Sequence, residues 1–485
     1  MRNNINFPAS KEVFNIFKQL NNVPRPSWHE EKVANFLCHF AEQHNLEYKR
    51  DAHNCVVIKK AATIGYEKAT PIVILNHCDM VCVAEKGKTF DPQNDAIKSY
   101  EDEGWLKAEG TSLGADNGIG LSMALAVLQD DSIIHGPIEV IATTNEEDGM
   151  TGAANLAPDF ITGRKVINLD SEDYNTITVG SAGAYLQFSR IPYKRESAPV
   201  RRNYYKISIT GGLGGHSGVD INKGRANANK ILCSLLNQMN FIFGLVISEI
   251  NGGEANNSIA ANAEAIIGMS YARSKIFEKS IQDFFYTKKM YYEDIEKALT
   301  CTVEKINAPL EIINKEASDK LLRSMDKIPY GPLKMSDSLE DTVETSNSTG
   351  MIRTNEQDIF ISNYSRSFID SEVVKLGNLI KDIFDEAGAK TEVIMSAPAW
   401  QSDISSPFIQ LTEDVFVDVL GFKPCKVAMH FALEGGYFVQ KYPGIEIVSI
   451  GPKIIEPHSV TERVSVSTIN DIWKVFIELL YRLAN

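Results

Sequence analysis

The chain has 485 residues, 44% of them hydrophobic and 23% charged, with a formal net charge of −14. That length exceeds one ordinary core, so two domains or one domain with a large insertion are expected. The acidic balance argues against nucleic acid or an anionic membrane as a partner. No apolar run of about 18 residues marks a membrane span. Met1-Arg2-Asn3-Asn4-Ile5-Asn6 lacks the apolar stretch of a secretory leader. Seven scattered cysteines do not make a disulfide framework, and a cytoplasmic location is expected. Cys78 and Cys82 are the one close pair. With no second Cys/His pair nearby, they read as buried small hydrophobes rather than zinc ligands.

Residues 10–46 read as helices broken at Pro24-Arg25-Pro26, followed by strands over 54–59 and 71–76. A helix begins near Asn117, and further apolar strands cover 138–143 and 165–169. Strands alternating with helices point to a layered α/β core with a mainly parallel sheet. From about residue 187 the texture changes. Strand 204–210, helix 225–239, strands 245–250 and 261–269 around Asn251-Gly252-Gly253, and helix 276–306 suggest an α+β insertion. A similar order recurs over 342–345, 359–366, 372–387 and 391–395, which suggests duplication within the insertion. Helix 407–420, strand 445–450 and helix 466–483 return to an α/β pattern. The expected organisation is a catalytic domain from residues 1–186 and 399–485, interrupted by a lid domain over 187–398.

The chemistry-bearing residues cluster at predicted strand ends. His77 and Asp79 follow an apolar strand and share one face by alternation, so Asp79 can orient the His77 imidazole as a metal ligand. Asp116 sits in the glycine-rich Gly110–Gly120 stretch before a helix. There it is either a helix N-cap or a carboxylate bridging two ions. Glu146 and Glu147 follow a third strand. Adjacent acids can divide the work, one binding metal and its neighbour taking a proton from water. Asp170 and His458 lie after two more strands, where open α/β sheets gather their ligand sites. Mixed His and carboxylate ligands suit Zn²⁺, with Mn²⁺ or Co²⁺ as alternatives.

The order H-x-D, G-A-D-N-G, N-E-E, L-D-S-E and a late P-H resembles the M20 metallopeptidase family. Val23-Pro24-Arg25-Pro26-Ser27, Gly214-Gly215-His216-Ser217-Gly218, Lys223-Gly224-Arg225 and Leu433-Glu434-Gly435-Gly436 narrow the resemblance to its aminoacyl-histidine dipeptidase subfamily. The resemblance implies that His77 and Asp170 hold one ion, Glu147 and His458 the other, and that Asp116 bridges them. It further implies Glu146 as general base, His216 as donor to the oxyanion, Arg366 as a clamp for the substrate carboxylate, and Asn257 near the substrate. Glu434 is placed near the substrate amine, with a structural loop role as the alternative. Small dipeptides are the implied substrates, Xaa-His among them. The alternatives are an N-acyl amino acid deacylase on the same scaffold and a non-catalytic metal- or peptide-binding protein. Whether His216 serves its own chain or the partner's in a homodimer is left open. Glu434-Gly435-Gly436 replaces a common Glu-Cys-Gly, and Asn222 stands where a histidine is frequent, which bears on substrate preference rather than on hydrolysis.

Overall fold

A computed structural model describes residues 10–485; the N-terminal hexapeptide read above lies outside them. The described residues form two compact units, one of residues 10–180, 400–428 and 433–485, the other of residues 181–399 and 429–432.

The first unit is built on an eight-stranded mixed sheet. At its centre Ile138–Thr143, Ile72–His77, Lys165–Asn168 and Glu446–Ser449 lie side by side and parallel. Val56–Lys60 and Glu47–Arg50 extend one flank antiparallel. These four parallel strands are largely buried, as expected where helices cover each side. Alternation divides the strand residues between two cores. Ile72, Ile74, Ile138 and Val140 join the helices Lys11–Leu20, Glu31–Gln43, Ala115–Gln129, Pro407–Leu420 and Val466–Ala484. Val73, Leu75 and Ile141 face the other way, onto Phe160, Trp400, Phe438 and Tyr442. Local signals set the helix ends: Ser406 caps Pro407–Leu420 by accepting from the Phe408 N–H, and Gly421 closes it in the left-handed conformation.

In register, His77 pairs with Thr143 and Leu75 with Asn168, so the carboxyl ends of the central strands finish together. A separate four-stranded sheet joins Ile454–Ile455, Arg463–Ser465, Trp105–Ala108 and Ser99–Asp102. It pins the hairpin bearing His458 beside the strand that leads into the Asp116 loop.

The second unit is an eleven-stranded antiparallel sheet with its helices sharing one core. One half runs Arg202–Thr210, helix Ala228–Phe243, Val246–Gly252, Ala263–Ser270, helix Ser274–Tyr291 and Thr300–Ile306. The other runs Gly183–Pro192, helix Lys315–Lys327, Val343–Thr354, Asp358–Ser367, helix Asp370–Glu386 and Lys390–Ala397. Corresponding strands take mirrored places in the sheet, and the halves meet at the Gly252–Ile352 pair.

Two element readings are corrected. The helix expected over 276–306 ends at Tyr291, and Thr300–Ile306 is a strand paired with Arg202–Thr210. Its alternating Thr300-Cys301-Thr302-Val303 carries a period of two that a helical reading passes over. Asn251 and Gly252 belong to a strand rather than to the turn expected at Asn251-Gly252-Gly253; the connection to Ala263–Ser270 begins at Gly253, whose φ is +71°.

Candidate metal centre and active site

Five loops that follow the strands of the first unit carry its polar centre. His77 ends its strand almost fully buried, and its Nε2 lies 3.1 Å from Asp116 Oδ1 and 3.3 Å from Asp170 Oδ1. His458 Nε2 lies 3.1 Å from Asp116 Oδ2 and 2.8 Å from Glu147 Oε2. The two oxygens of Asp116 therefore face different histidines. His77, Asp116 and Asp170 form one candidate ligand trio, and Asp116, Glu147 and His458 the second.

Ligands about 2.05 Å from a tetrahedral ion stand roughly 3.4 Å apart. The observed separations are close to that spacing, and the donors are the His and carboxylate types that first-row divalent ions accept. Glu147 Oε1 is buried with no hydrogen-bond partner, as an oxygen waiting for a cation would be. The residues fit a two-ion centre.

Metal-free electrostatics point the same way. Burial alone would lower the His77 pKa, but Asp170, Asp116 and Asp79 outweigh it and hold the imidazolium well above its ordinary range. Hydrogen bonds to Asp116 and Glu147 push His458 up to about 11. Burial raises Glu146, Glu147 and Asp170; repulsion among the acids adds to this, and the neighbouring histidines oppose it. Two protons sit on the histidines where ions would sit on their lone pairs.

The loops are held by specific contacts. Asp79, fully buried, lies 3.5 Å from His77 Nδ1 and accepts from Ser27 Oγ at 2.8 Å. Its two oxygens also accept from the backbone N–H groups of Glu146 and Glu147 at 3.1 and 3.2 Å. His77 Nδ1 meets the Asp79 backbone carbonyl at 3.2 Å, so residue Asp79 contacts the His77 ring through its main chain and holds the acidic pair through its carboxylate. The Asn117 side-chain amide donates to Asp170. Gly120 allows the helix after Asp116 to lie against the Leu169 carbonyl, where any Cβ would collide. Glu434, 4% exposed, accepts from Thr143 Oγ1 at 2.7 Å while its Oε1 has no partner. Burial pushes it up to about 8, against the Thr143 hydrogen bond and His77.

The second unit brings together His216, Asn257 and Arg366. The Ser217 N–H donates to the Asn257 carbonyl at 2.8 Å, and Arg366 Nη2 donates to Ser217 Oγ at 3.3 Å. Asn257 itself is exposed. His216 Nδ1 accepts from the backbone N–H groups of Gly218 and Val219 at 3.2 and 3.1 Å. Burial and the charge of Arg366 lower its pKa to about 4, so the ring is neutral with its proton on Nε2. Arg366 is 2% exposed, stacked 4.0 Å over the Tyr364 ring, with Nε unpartnered. It pairs with no carboxylate among the described residues.

Three contributors escaped the sequence reading. Glu462 follows His458 by four residues and accepts backbone N–H groups from the Asp116 loop. Arg25 entered as part of a motif, yet its donors go to backbone carbonyls. Buried His430 bonds Ser346 Oγ at 2.7 Å, and burial with the charge of Arg366 lowers it to about 3. The motif around Arg25 and the His458-x-x-x-Glu462 spacing were the signals present, and neither reveals backbone partners.

An α/β layered enzyme with a two-ion centre at the carboxyl ends of its strands is the class that this geometry defines. Residues 73–482 match Peptidase family M20/M25/M40, and the chain belongs to that family. It is 33% identical over 472 residues to the cytosol non-specific dipeptidase of Escherichia coli (strain K12), spanning 97% of each chain. The crystal structure of aminoacylhistidine dipeptidase from Vibrio alginolyticus is 32% identical and aligns with a TM-score of 0.92 over 97% of this chain and 96% of that one. A tripeptidase from Staphylococcus aureus shares the fold at 16% identity, with a TM-score of 0.57 over 98% of both chains. No helix among the described residues is long and apolar enough to cross a membrane.

Proposed function

We propose that this chain is a zinc-dependent dipeptidase of the cytoplasm, acting on Xaa-His and broader dipeptides. The observation that carries the proposal is the division of the Asp116 oxygens between His77 and His458, each histidine completed by a further acid. His77 and Asp170 would hold one ion, Glu147 and His458 the other, with Asp116 shared. The likeness over nearly the full chain to two dipeptidases supports the substrate class.

Bound divalent ions would supply a water of lowered pKa and a polarised carbonyl. Glu146 takes the proton of the attacking water and returns it to the leaving amine. Its backbone is fixed by Asp79, which supports a role as base beside the ligand Glu147. His216, neutral with Nε2–H free to donate, suits a developing oxyanion. Arg366, buried without a counter-ion, suits the free carboxylate of a dipeptide. Glu434 and Asn257 complete the substrate contacts, Glu434 at the amine. In this reading residues 187–398 act as a lid on a catalytic domain of residues 1–186 and 399–485, and the working form is a homodimer.

The test is hydrolysis of β-Ala-His, Gly-His, Leu-Gly, a tripeptide and an N-acetyl amino acid with Zn²⁺, Mn²⁺, Co²⁺ or a chelator. Chelator-sensitive dipeptide cleavage is expected, with Glu146→Gln losing about 10²- to 10⁴-fold in kcat while still binding metal. Cleavage of the N-acetyl substrate alone would move the assignment to a deacylase, and an unimpaired Glu146→Gln would remove Glu146 as base.

A further inference from the structure

The glycine-rich turn that opens the helix Ala115–Gln129, where Asp116 and Asn117 depart from helical φ/ψ, carries the shared ligand, and two buried charges outside the ligand set grip it. Glu462 is 3% exposed. Its Oε2 accepts from the N–H groups of Leu113 and Gly114 at 2.7 and 2.9 Å, and its Oε1 from those of Ala115 and Asp116 at 2.8 and 3.4 Å. Arg25 is 1% exposed. Its Nη2 donates to the Gly114 carbonyl at 2.7 Å, and its Nη1 donates to the carbonyls of Cys78 and Asp79 at 3.2 and 3.1 Å.

Gly114 is therefore held from both sides, its N–H by Glu462 and its C=O by Arg25. The position demands glycine: φ is +68°, and a Cβ would stand 2.6 Å from Arg25 Nη2. Neither Glu462 nor Arg25 forms a salt bridge with another side chain among the described residues. Their hydrogen bonds go to backbone groups, and the carboxylates of Glu462 and Asp79 add a favourable field at Arg25. Burying a charge in this way is costly, and a helix N-terminus alone needs no such arrangement, since one neutral cap would satisfy one or two of its N–H groups.

What the two side chains connect gives the reason. Arg25 ties the Asp116 loop to the chain just after His77, at the carbonyls of Cys78 and Asp79. Glu462 ties the same loop to the hairpin that carries His458, itself anchored by Arg463–Ser465 on Trp105–Ala108. The shared ligand is thus referenced to one histidine through each charge. We propose that Glu462 and Arg25 are positioning residues that preset Asp116 between the two ion sites, so that they govern how tightly and in what geometry the second ion is held. The proposal rests on the two-ion reading above.

The test uses full-length protein stripped of metal and compares wild type with Glu462→Gln, which keeps the size but offers one acceptor where four N–H groups converge. Zn²⁺ is titrated against a chromophoric chelator, the visible absorption of the Co²⁺-loaded protein is recorded, and metal-free melting is followed. The expected result is binding of the weaker ion reduced by roughly 10- to 100-fold, the range seen when outer partners of metal ligands are removed. An altered Co²⁺ spectrum should accompany it. Unchanged affinity, stoichiometry and spectrum would overturn the proposal. So would a lowered melting temperature with unchanged metal parameters, because that marks a purely structural role. If Glu462→Gln does not fold, Arg25→Lys is read in the same way, since it keeps the charge and loses the fork that joins three carbonyls. Wild-type protein that fails to take up two ions would sink the two-ion reading itself, whereas two ions bound equally by wild type and variants would sink only this proposal.

Discussion

Replacing Arg366 with methionine separates a binding role from a structural one. The side chain is 2% exposed, yet it has one hydrogen bond, to Ser217 Oγ at 3.3 Å, and a stacked tyrosine ring at 4.0 Å. No carboxylate balances it among the described residues. A buried ion pair loses about 3–5 kcal/mol when one partner is removed, because the other charge is stranded. Here nothing is stranded, and methionine removes a desolvation cost while filling similar space. Stability should therefore change by no more than about 1 kcal/mol, in either direction. Substrate binding should suffer instead. A hydrogen bond to a charged group contributes about 1.5–3 kcal/mol, which corresponds to a rise in KM of roughly 10- to 150-fold. Urea denaturation and steady-state kinetics on a dipeptide and its C-terminal amide measure both quantities. Wild type should prefer the free acid by about the factor that the variant loses, and the variant should barely distinguish acid from amide. Strong destabilisation with unchanged KM and an intact acid preference would refute the reasoning.

Other consequences concern protons and ions. Since His77 and His458 are protonated in the metal-free state, ion uptake at neutral pH should release protons, and apparent affinity should rise with pH. Calorimetry in buffers of different ionisation enthalpy detects this, and binding without proton release would contradict the histidine assignments. Asp116→Asn leaves one oxygen where two are shared, so metal analysis after dialysis should find one ion where wild type retains two. Glu434, raised to about 8 from an ordinary 4.5, binds a proton in the folded state that the unfolded chain has lost. Metal-free stability should consequently fall as pH rises between those values, by at most about 1.4 kcal/mol per pH unit from this group. Glu434→Gln should flatten that decline in pH-dependent melting; an unchanged slope would mean that other acids carry it.

Of the candidate ligands, His77, Glu147 and Asp170 were legible because each ends or closely follows an apolar strand, Asp116 because its glycine-rich stretch opens a helix, and His458 because its loop follows the strand Glu446–Ser449. A parallel sheet brings such ends together with few alternatives, and the matched register of His77 with Thr143 is the physical form of that rule. The division of ligands between the two ions had no basis in spacing. It came from the family resemblance; in the fold each Asp116 oxygen faces a different histidine. The helix over-extended past Tyr291 shows the reverse case, where apolar residues before a short alternating strand blur two periods into one.

Residues that act through backbone contacts were the least legible. Arg25 and Glu462 bind peptide groups, and peptide groups are present at every position, so nothing in the composition of their partners singles them out. Their meaning depends on where separate stretches of chain converge, around residues 25, 79 and 114 in one case and 114 and 462 in the other. Ligands are chosen by chemistry and can be read residue by residue. Their positions are set by charges that meet only after folding, which is why the Gly114 peptide, featureless in sequence, lies at the junction between the two halves of the metal centre.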